Sequence, residues 1–311
     1  MSVRERRFRF GVLVSRAETL EQWREIARKA EALGYASLLV ADHFGRQLAP
    51  MPALVAAASA TRALRVGTFV LDNDFRHPAV TAKEAATVDV LTEGRLELGI
   101  GAGWNALDYT KTGLTFEAAG TRVSKLEEAL EIITRLLGGP EPVSFEGRYY
   151  QVHELEGAPR PVQRPHPPIM IGAAGRRMLT LAARYAQILN FPDRPSVGVS
   201  TAGNPGLGLS MDQQMAIVRA EAGERYAGLE LSALTIPRLT DDIEATIEGL
   251  AHQMRTTPEV VNQMPGTLVG STEAIIARLQ DVRERFDISY PVIPGAAMEA
   301  MAPVVARLAD T

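Results

Sequence analysis

Short apolar segments alternate with amphipathic helical segments along almost the whole chain, and this alternation restricts the fold more than any other feature. The apolar segments resemble strands that are buried on both faces, as in parallel sheets. Eight of them occur, at residues 8–14, 37–41, 64–71, a run ending at 99, 169–172, 188–191, 231–236 and 288–293.

The segments between these strands have the periodicity of helices. In the first one Thr19 is a suitable N-cap and Gly34 a suitable C-terminal stop. The predicted helices span 19–33, 52–61, 78–91, 123–137, 178–185, 212–226, 243–254, 272–286 and 298–308. Eight strand and helix repeats predict an α/β fold, a (β/α)8 TIM barrel, with an open doubly wound sheet as the alternative.

The barrel hypothesis makes specific predictions about the core and the domain organisation. One residue from each of six strands should face the interior: Val12, Leu39, Val66, Leu98, Ile171 and Leu189. The 311 residues are expected to form a single domain, because α/β barrels commonly use this length. Insertions interrupt the repeat near 105–121, 139–168 and 192–210. The second contains a predicted hairpin at 143–152, and the first and third are candidate lids.

Composition excludes several classes of function. The chain has no cysteine, which rules out thiolate, iron–sulfur and cysteine zinc sites, and its five histidines lack metal-ligand spacing, so no metal is expected. A formal charge of −4 argues against nucleic acid or an anionic membrane as partner. The apolar run after the arginine-rich start is too short for a signal peptide, and a cytoplasmic protein is expected.

Glycines follow the fourth strand, at Gly99, Gly101 and Gly103, and Trp104 comes next. An apolar run that opens onto bare backbone suits close approach of a flat ligand, so Gly101, Gly103 and Trp104 are candidate cofactor contacts. A dinucleotide fingerprint is disfavoured, because Trp104 stands where the motif needs its third glycine.

Polar residues at strand ends are candidates for catalysis, because barrel enzymes place their chemistry there. The second strand ends at Asp42 and His43, and the histidine is a candidate general acid or base. A structural alternative is that Asp42 caps a turn and His43 packs under a loop. The third strand ends in residues that either face a ligand ring or complete the interior: Thr68, Phe69, Val70, Leu71 and Asp72.

The fifth strand leads through small residues into a helix. Backbone N–H groups there suit a phosphate, with an ordinary turn carrying two solvated arginines as the alternative. The candidate phosphate-binding residues are Gly172, Ala173, Ala174, Gly175 and Arg176.

Taken in order, these motifs resemble the bacterial-luciferase-like monooxygenase family, and more closely its branch that uses coenzyme F420, a deazaflavin. The matching segments are DHF (42–44), VGT (66–68), FRHPA (75–79), LTEGR (91–95), GWN (103–105), LEEAL (126–130), PIMIG (168–172) and YPVIP (290–294). The resemblance covers nearly the whole chain.

The resemblance implies a barrel with insertions that binds FMN or deazaflavin at the carboxyl ends of its strands. It also implies a non-proline cis peptide at Phe69-Val70 beside the cofactor ring, a phosphate held by the loop after the fifth strand, and His43 with Asp42 near the reactive ring. Family members are usually dimers. Two positions depart from the sugar-phosphate dehydrogenases of the family. Trp104 stands where those enzymes have an acid, and Gln47 stands where they have a tryptophan, so the identity of the substrate is left undecided.

The expected function is therefore an oxidoreductase that transfers hydride between F420 and a small organic substrate. The alternatives are a two-component FMN monooxygenase that works with a flavin reductase, and a flavin-binding barrel without turnover. A third alternative is a lyase or isomerase of sugar phosphates, but this chain has no evident Lys or Glu at a strand end to carry that chemistry. Deazaflavin is favoured over FMN because its anionic tail needs cations, which Arg176, Arg177 and Arg194 would supply.

Overall fold

The computed structural model describes residues 6–192 and 208–311. Its strands are β1 (Gly11–Leu13), β2 (Ser37–Val40), β3 (Arg65–Thr68), β4 (Leu71–Asp72), β5 (Leu96–Gly101), β6 (Val143–Glu146), β7 (Gln151–Leu155), β8 (Ile169–Gly172), β9 (Ile188–Phe191), β10 (Glu230–Leu234), β11 (Ile236–Leu239), β12 (Thr267–Gly270) and β13 (Ile288–Pro294).

Helices follow most of the strands. They are α1 (Leu20–Ala32), α2 (Pro50–Ala58), α3 (Pro78–Leu91), α4 (Ala106–Thr112), α5 (Ala119–Gly138), α6 (Arg176–Tyr185), α7 (Met211–Ala222), α8 (Ile243–Met254), α9 (Pro258–Gln263), α10 (Thr272–Phe286) and α11 (Ala302–Leu308). Short 3-10 turns occur at Asn73–Phe75, Gly223–Gly228 and Gly295–Ala297.

The main sheet has the topology of a closed barrel. Its strand order is β3-β2-β1-β13-β10-β9-β8-β5-β4, and β3 also pairs with β5, which makes the order circular. β3 and β4 are two pieces of one barrel strand, because β5 pairs with both of them in parallel. The eight predicted strands and the (β/α)8 class are thus confirmed, and the open sheet is excluded.

The predicted interior residues are all buried, as expected for strands covered on both faces. Exposure is 0% for each of the six: Val12, Leu39, Val66, Leu98, Ile171 and Leu189. The predicted helix at 212–226 is shorter than expected, because Gly223 with a φ of 52° ends α7 and a 3-10 turn follows.

The chain divides into two compact units, and the prediction of a single domain remains a prediction. One unit comprises Val14–Lys29 and Leu38–Ile171. We call it the His43 unit. In it the first insertion contains α4, and the second contains the predicted hairpin, formed by antiparallel β6 and β7.

The other unit comprises Met1–Leu13, Ala30–Ser37 and Gly172–Thr311, and we call it the Gly172 unit. Here β11 pairs in parallel with β12, and α8 and α9 add a small apolar cluster around Ile247, Leu250 and Val261. The sequence analysis predicted α8 but not β11, α9 or β12. The third insertion, near 192–210, falls mostly outside the described residues.

Candidate active site

Asp42 and His43 follow β2 directly, but their side chains have different partners. The buried Asp42 carboxylate accepts two hydrogen bonds from the Arg76 guanidinium, at 2.6 and 3.3 Å. It also accepts a hydrogen bond from the backbone N–H of Asp72, at 3.1 Å. Asp42 therefore ties the end of β2 to β4, and its catalytic role stays a prediction.

The His43 ring contacts a carboxylate that the sequence analysis did not single out. Nδ1 of His43 lies 2.7 Å from Oδ2 of Asp108, and the ring meets Trp104 edge-on with centroids 5.5 Å apart. The side chain of His43 is 28% exposed, whereas that of Asp108 is only 6% exposed. A buried carboxylate that holds a partly exposed imidazole is an arrangement suited to general acid or base chemistry.

Asp108 was not predicted as a site residue because the catalytic candidates were the residues that directly follow a strand, and Asp108 lies on a helix. Trp104 comes directly after Gly103, and Asp108 comes one helical turn later, on α4. The usable signal was Asn105, which caps α4 by accepting a hydrogen bond from the N–H of Leu107. Because the helix begins after Asn105, Asp108 lies near the end of β2 although the two are far apart in sequence.

The third barrel strand breaks between β3 and β4 in a bulge that contains the predicted cis peptide, Phe69-Val70. The Thr68 hydroxyl donates to the carbonyl of Gly99 at 2.6 Å and accepts from the N–H of Gly99 at 2.8 Å. On the opposite side, the N–H of Phe69 donates to the carbonyl of Val40 at 2.8 Å. Thr68 thus fixes the bulge in the sheet, while Phe69 and Val70 are only half-buried.

The glycines of β5 are explained by this bulge. A Cβ on Gly99 would lie 2.0 Å from the carbonyl oxygen of Thr68, and a Cβ on Gly101 would lie 3.0 Å from Val70. Gly103 has a φ of 74°, and its Cβ would lie 2.2 Å from the hydroxyl of Tyr109. The chain's own groups fill the space that a side chain at these positions would need, and the prediction that Gly101 and Gly103 contact a cofactor stays a prediction.

A second carboxylate, that of Asp72, lies in the same unit against Tyr109. The Tyr109 hydroxyl is 2.9 Å from both oxygens of Asp72 and 3.1 Å from Oδ2 of Asp74. Burial raises the pKa of Asp72 from its ordinary value of 3.8 to about 6, and nearby Asp74 and Asp42 act in the same direction. Burial and these two acids, Asp72 and Asp74, also raise the pKa of Tyr109.

The predicted phosphate loop lies in the Gly172 unit, at the end of β8. The N–H of Ala173 donates to the carbonyl of Asn190 at 3.0 Å, and a Cβ on Gly172 would meet open space. Gly175 precedes α6 and supplies no side-chain cap to the start of that helix. Arg176 is exposed, and Arg194 lies outside the described residues.

In 6–192 and 208–311, no group of three or more His, Cys, Asp or Glu side chains is arranged to hold a metal ion. None of the helices in this part of the chain combines the length and apolarity that crossing a membrane requires.

The sheet topology, with a histidine and a carboxylate at the strand ends, defines a protein of the α/β-barrel class. A family model described as luciferase-like monooxygenase matches residues 7–195, which is more than half of the chain. The chain belongs to this family.

The relatives of known name fall into dehydrogenases and monooxygenases. The F420-dependent glucose-6-phosphate dehydrogenase of Microbacterium testaceum is 38% identical over 166 residues, covering 51% of this chain and 48% of that protein. The 4-hydroxyprotoasukamycin monooxygenase of Streptomyces nodosus subsp. asukaensis is 32% identical over 209 residues, covering 62% and 56%. The chain spans about half the length of these curated relatives.

Solved structures share the fold. An F420-dependent secondary alcohol dehydrogenase in complex with an F420-acetone adduct superposes with a TM-score of 0.78, covering 98% of this chain and 100% of that one. The two sequences are 18% identical, so the likeness concerns the fold alone.

Proposed function

We propose that this chain is an oxidoreductase that transfers hydride between coenzyme F420 and a small organic substrate. The observation that carries the proposal is the His43–Asp108 pair at the carboxyl end of β2, with a 2.7 Å contact between the two side chains. A barrel that only stores a flavin has no need of an oriented imidazole. The F420-dependent enzymes among the relatives support the choice of cofactor.

The residues of each unit fit a deazaflavin. In the His43 unit, half-buried Phe69 and Val70 offer apolar surface at a strand end, which suits a flat ring. In the Gly172 unit, the open space beside Gly172 and the uncapped start of α6 suit a phosphate. The other predicted cofactor contacts, Gly101, Gly103 and Trp104, remain proposals.

When bound, the reduced deazaflavin supplies a hydride from its C5 position. His43 moves the accompanying proton: its Nδ1 is taken by Asp108, so Nε2 is the atom left for the substrate oxygen. In the oxidising direction the neutral ring, with its proton on Nδ1, would accept the hydroxyl proton of the substrate at Nε2. In the reducing direction the imidazolium, protonated on both nitrogens, would donate the Nε2 proton to the carbonyl oxygen. Asp42 supports the bulge through Arg76 and Asp72 rather than through the His43 ring.

The test is a parallel titration of the purified protein with F420 and with FMN, followed by turnover assays. We expect tighter binding of F420, and bleaching or recovery of its absorbance with small ketones or secondary alcohols. Glucose 6-phosphate serves as the comparison substrate, because it is named in the relative from Microbacterium testaceum.

A two-component FMN monooxygenase is the second candidate, and the relative from Streptomyces nodosus favours it. Tighter binding of FMN, with oxygen consumption only when a flavin reductase is added, would establish this function and exclude the first.

We also propose a homodimer formed through α3. This helix exposes Val80 near its start and Val90 and Leu91 at its end, at 48%, 40% and 60%. Exposed apolar side chains on one helix favour a protein partner. Light scattering should give the mass of a dimer, and a Val80→Glu, Leu91→Glu variant should be monomeric. Leu20→Glu, at another exposed apolar residue, is the matched control; a monomeric wild type would contradict the proposal.

A cytoplasmic location and a flavin reductase partner are further proposals. Cell fractionation tests the first, and the second applies only if FMN is the cofactor.

A further inference from the structure

We infer that Asp108 is the positioning residue of the site: it holds His43 in the tautomer that carries its proton on Nδ1, with Nε2 directed to chemistry. This inference deepens the proposed function and takes its catalytic meaning from it. The geometry that supports it is present in the chain itself, in the His43 unit.

The contacts of the Asp108 carboxylate determine which ring nitrogen carries the proton. Oδ2 lies 2.7 Å from Nδ1 of His43 and accepts from the Asn105 side-chain amide at 2.8 Å. Oδ1 accepts from the backbone N–H of Phe44 at 3.2 Å. An ionised carboxylate only accepts hydrogen bonds, so the contact with His43 requires a proton on Nδ1.

Asp108 is itself held in place on both sides of its position in α4. Asn105, at the start of the helix, contacts both the carboxylate and the N–H of Leu107. The next residue, Tyr109, is fully buried and donates to Asp72. Burial of the carboxylate and these anchors restrict its motion, which is what a residue that orients another side chain requires.

Aromatic contacts fix the same segment from the outside. The Tyr109 ring lies 5.4 Å from that of Phe75 and 4.8 Å from that of Phe116, measured between centroids. The Arg122 guanidinium stacks on Phe116 at 3.9 Å and donates to the carbonyl of Ala102. The α4 part of the insertion at 105–121 is thus an anchored support for His43, and the role of the insertion as a lid stays a prediction.

The chain contains its own standards for measuring the tautomer. Nδ1 of His166 lies 2.8 Å from the carbonyl oxygen of Pro167, which only accepts, so this ring carries its proton on Nδ1. Nδ1 of His77 instead accepts from the N–H of Ala79 at 3.2 Å, so that ring carries its proton on Nε2. Histidine tautomers give different long-range nitrogen–proton correlation patterns in NMR spectra.

The first experiment uses the cofactor-free full chain labelled with nitrogen-15 at histidine, with His43→Gln to assign the signal. At a pH where the ring is neutral, we expect His43 to show the pattern of His166. In Asp108→Ala this pattern should be lost while His166 and His77 keep theirs. A His43 pattern like that of His77, or one unchanged in Asp108→Ala, would overturn the inference.

The second experiment measures turnover in the F420-loaded enzyme. Asp108→Ala should lower kcat about 100-fold, within the range for general acid–base catalysis, and leave the Kd of F420 within about twofold. Asp108→Asn keeps an acceptor oxygen and should recover part of kcat. Asp89→Asn removes a buried carboxylate bonded to Gln163, outside the site, and should match the wild type.

The two proposals fail in different ways. If the NMR pattern follows Asp108 but the wild type turns over no substrate with F420, the proposed function is wrong and the positioning contact stands. If the wild type turns over and Asp108→Ala matches it in kcat, the positioning role is wrong and the proposed function stands.

Discussion

The two candidate binding regions of this protein are built by opposite means. In the His43 unit, His43, Asp108 and Tyr109 are held by hydrogen bonds and aromatic contacts, and a Cβ on Gly99 or Gly103 would clash with neighbouring atoms. In the Gly172 unit, the candidate phosphate loop is backbone, with open space beside Gly172 and an uncapped helix start. Glycine thus serves internal packing in one region and accessibility in the other.

The sharpest test of this contrast is to add the same methyl group in both regions. Gly99→Ala would place a Cβ 2.0 Å from a backbone oxygen, and because backbone cannot move aside cheaply we expect a loss of stability above about 4 kcal/mol. Gly172→Ala should change the free energy of unfolding by less than about 1 kcal/mol. Urea denaturation measures both, and equal effects would contradict the comparison.

His43 tests whether the packed region contains the chemistry. His43→Ala should lower kcat about 100- to 10,000-fold, because it removes the general acid or base, with little change in the Kd of F420. His77→Ala, an exposed histidine of the same unit, is the control. Turnover that survives in His43→Ala would move the catalytic role to another residue.

Asp72 tests the electrostatics of the packed region through pH. Its pKa is raised from 3.8 to about 6, so the folded state binds a proton more tightly than the unfolded state does. The resulting stability is fully present below about pH 3.8 and is lost as pH rises to about 6, by about 3 kcal/mol for a difference of this size. Asp72→Asn keeps one acceptor oxygen for Tyr109 and should remove this dependence.

Chemical denaturation of the wild type and Asp72→Asn between about pH 4 and 7 measures the difference. Parallel pH profiles for the two proteins would show that Asp72 titrates normally in the folded state.

We expect the smallest effect from changing a side chain of the candidate phosphate loop, because backbone groups would provide most of that loop's contacts. Arg176→Ala should weaken F420 binding by about 1 kcal/mol, the lower end for a charge-assisted contact, because Arg176 is exposed and solvent screens it. The loss should shrink as salt is raised. FMN, which lacks the anionic tail, should bind Arg176→Ala and the wild type equally, and an equal loss for both ligands would place Arg176 at the shared phosphate.

The sequence by itself determined the barrel. Strands that are buried on both faces are continuous apolar runs, and such runs can be recognised without knowing which strands pair. Val66 and Leu98 were recognisable as buried residues for this reason, and both are fully buried. The cis peptide at Phe69-Val70 was available only through the family resemblance, since nothing in the residue types at those positions requires it.

Only the tertiary structure decided which carboxylate serves the histidine. Asp42 is adjacent to His43 in sequence, yet successive side chains at a strand end point in different directions, and Asp42 binds Arg76. Asp108 is 65 positions away and reaches the ring because α4 folds back over the end of β2. The requirement for glycine at position 99 could not be predicted either. It comes from the close approach of the Thr68 carbonyl on the neighbouring strand, and neither strand has a sequence pattern that marks this approach.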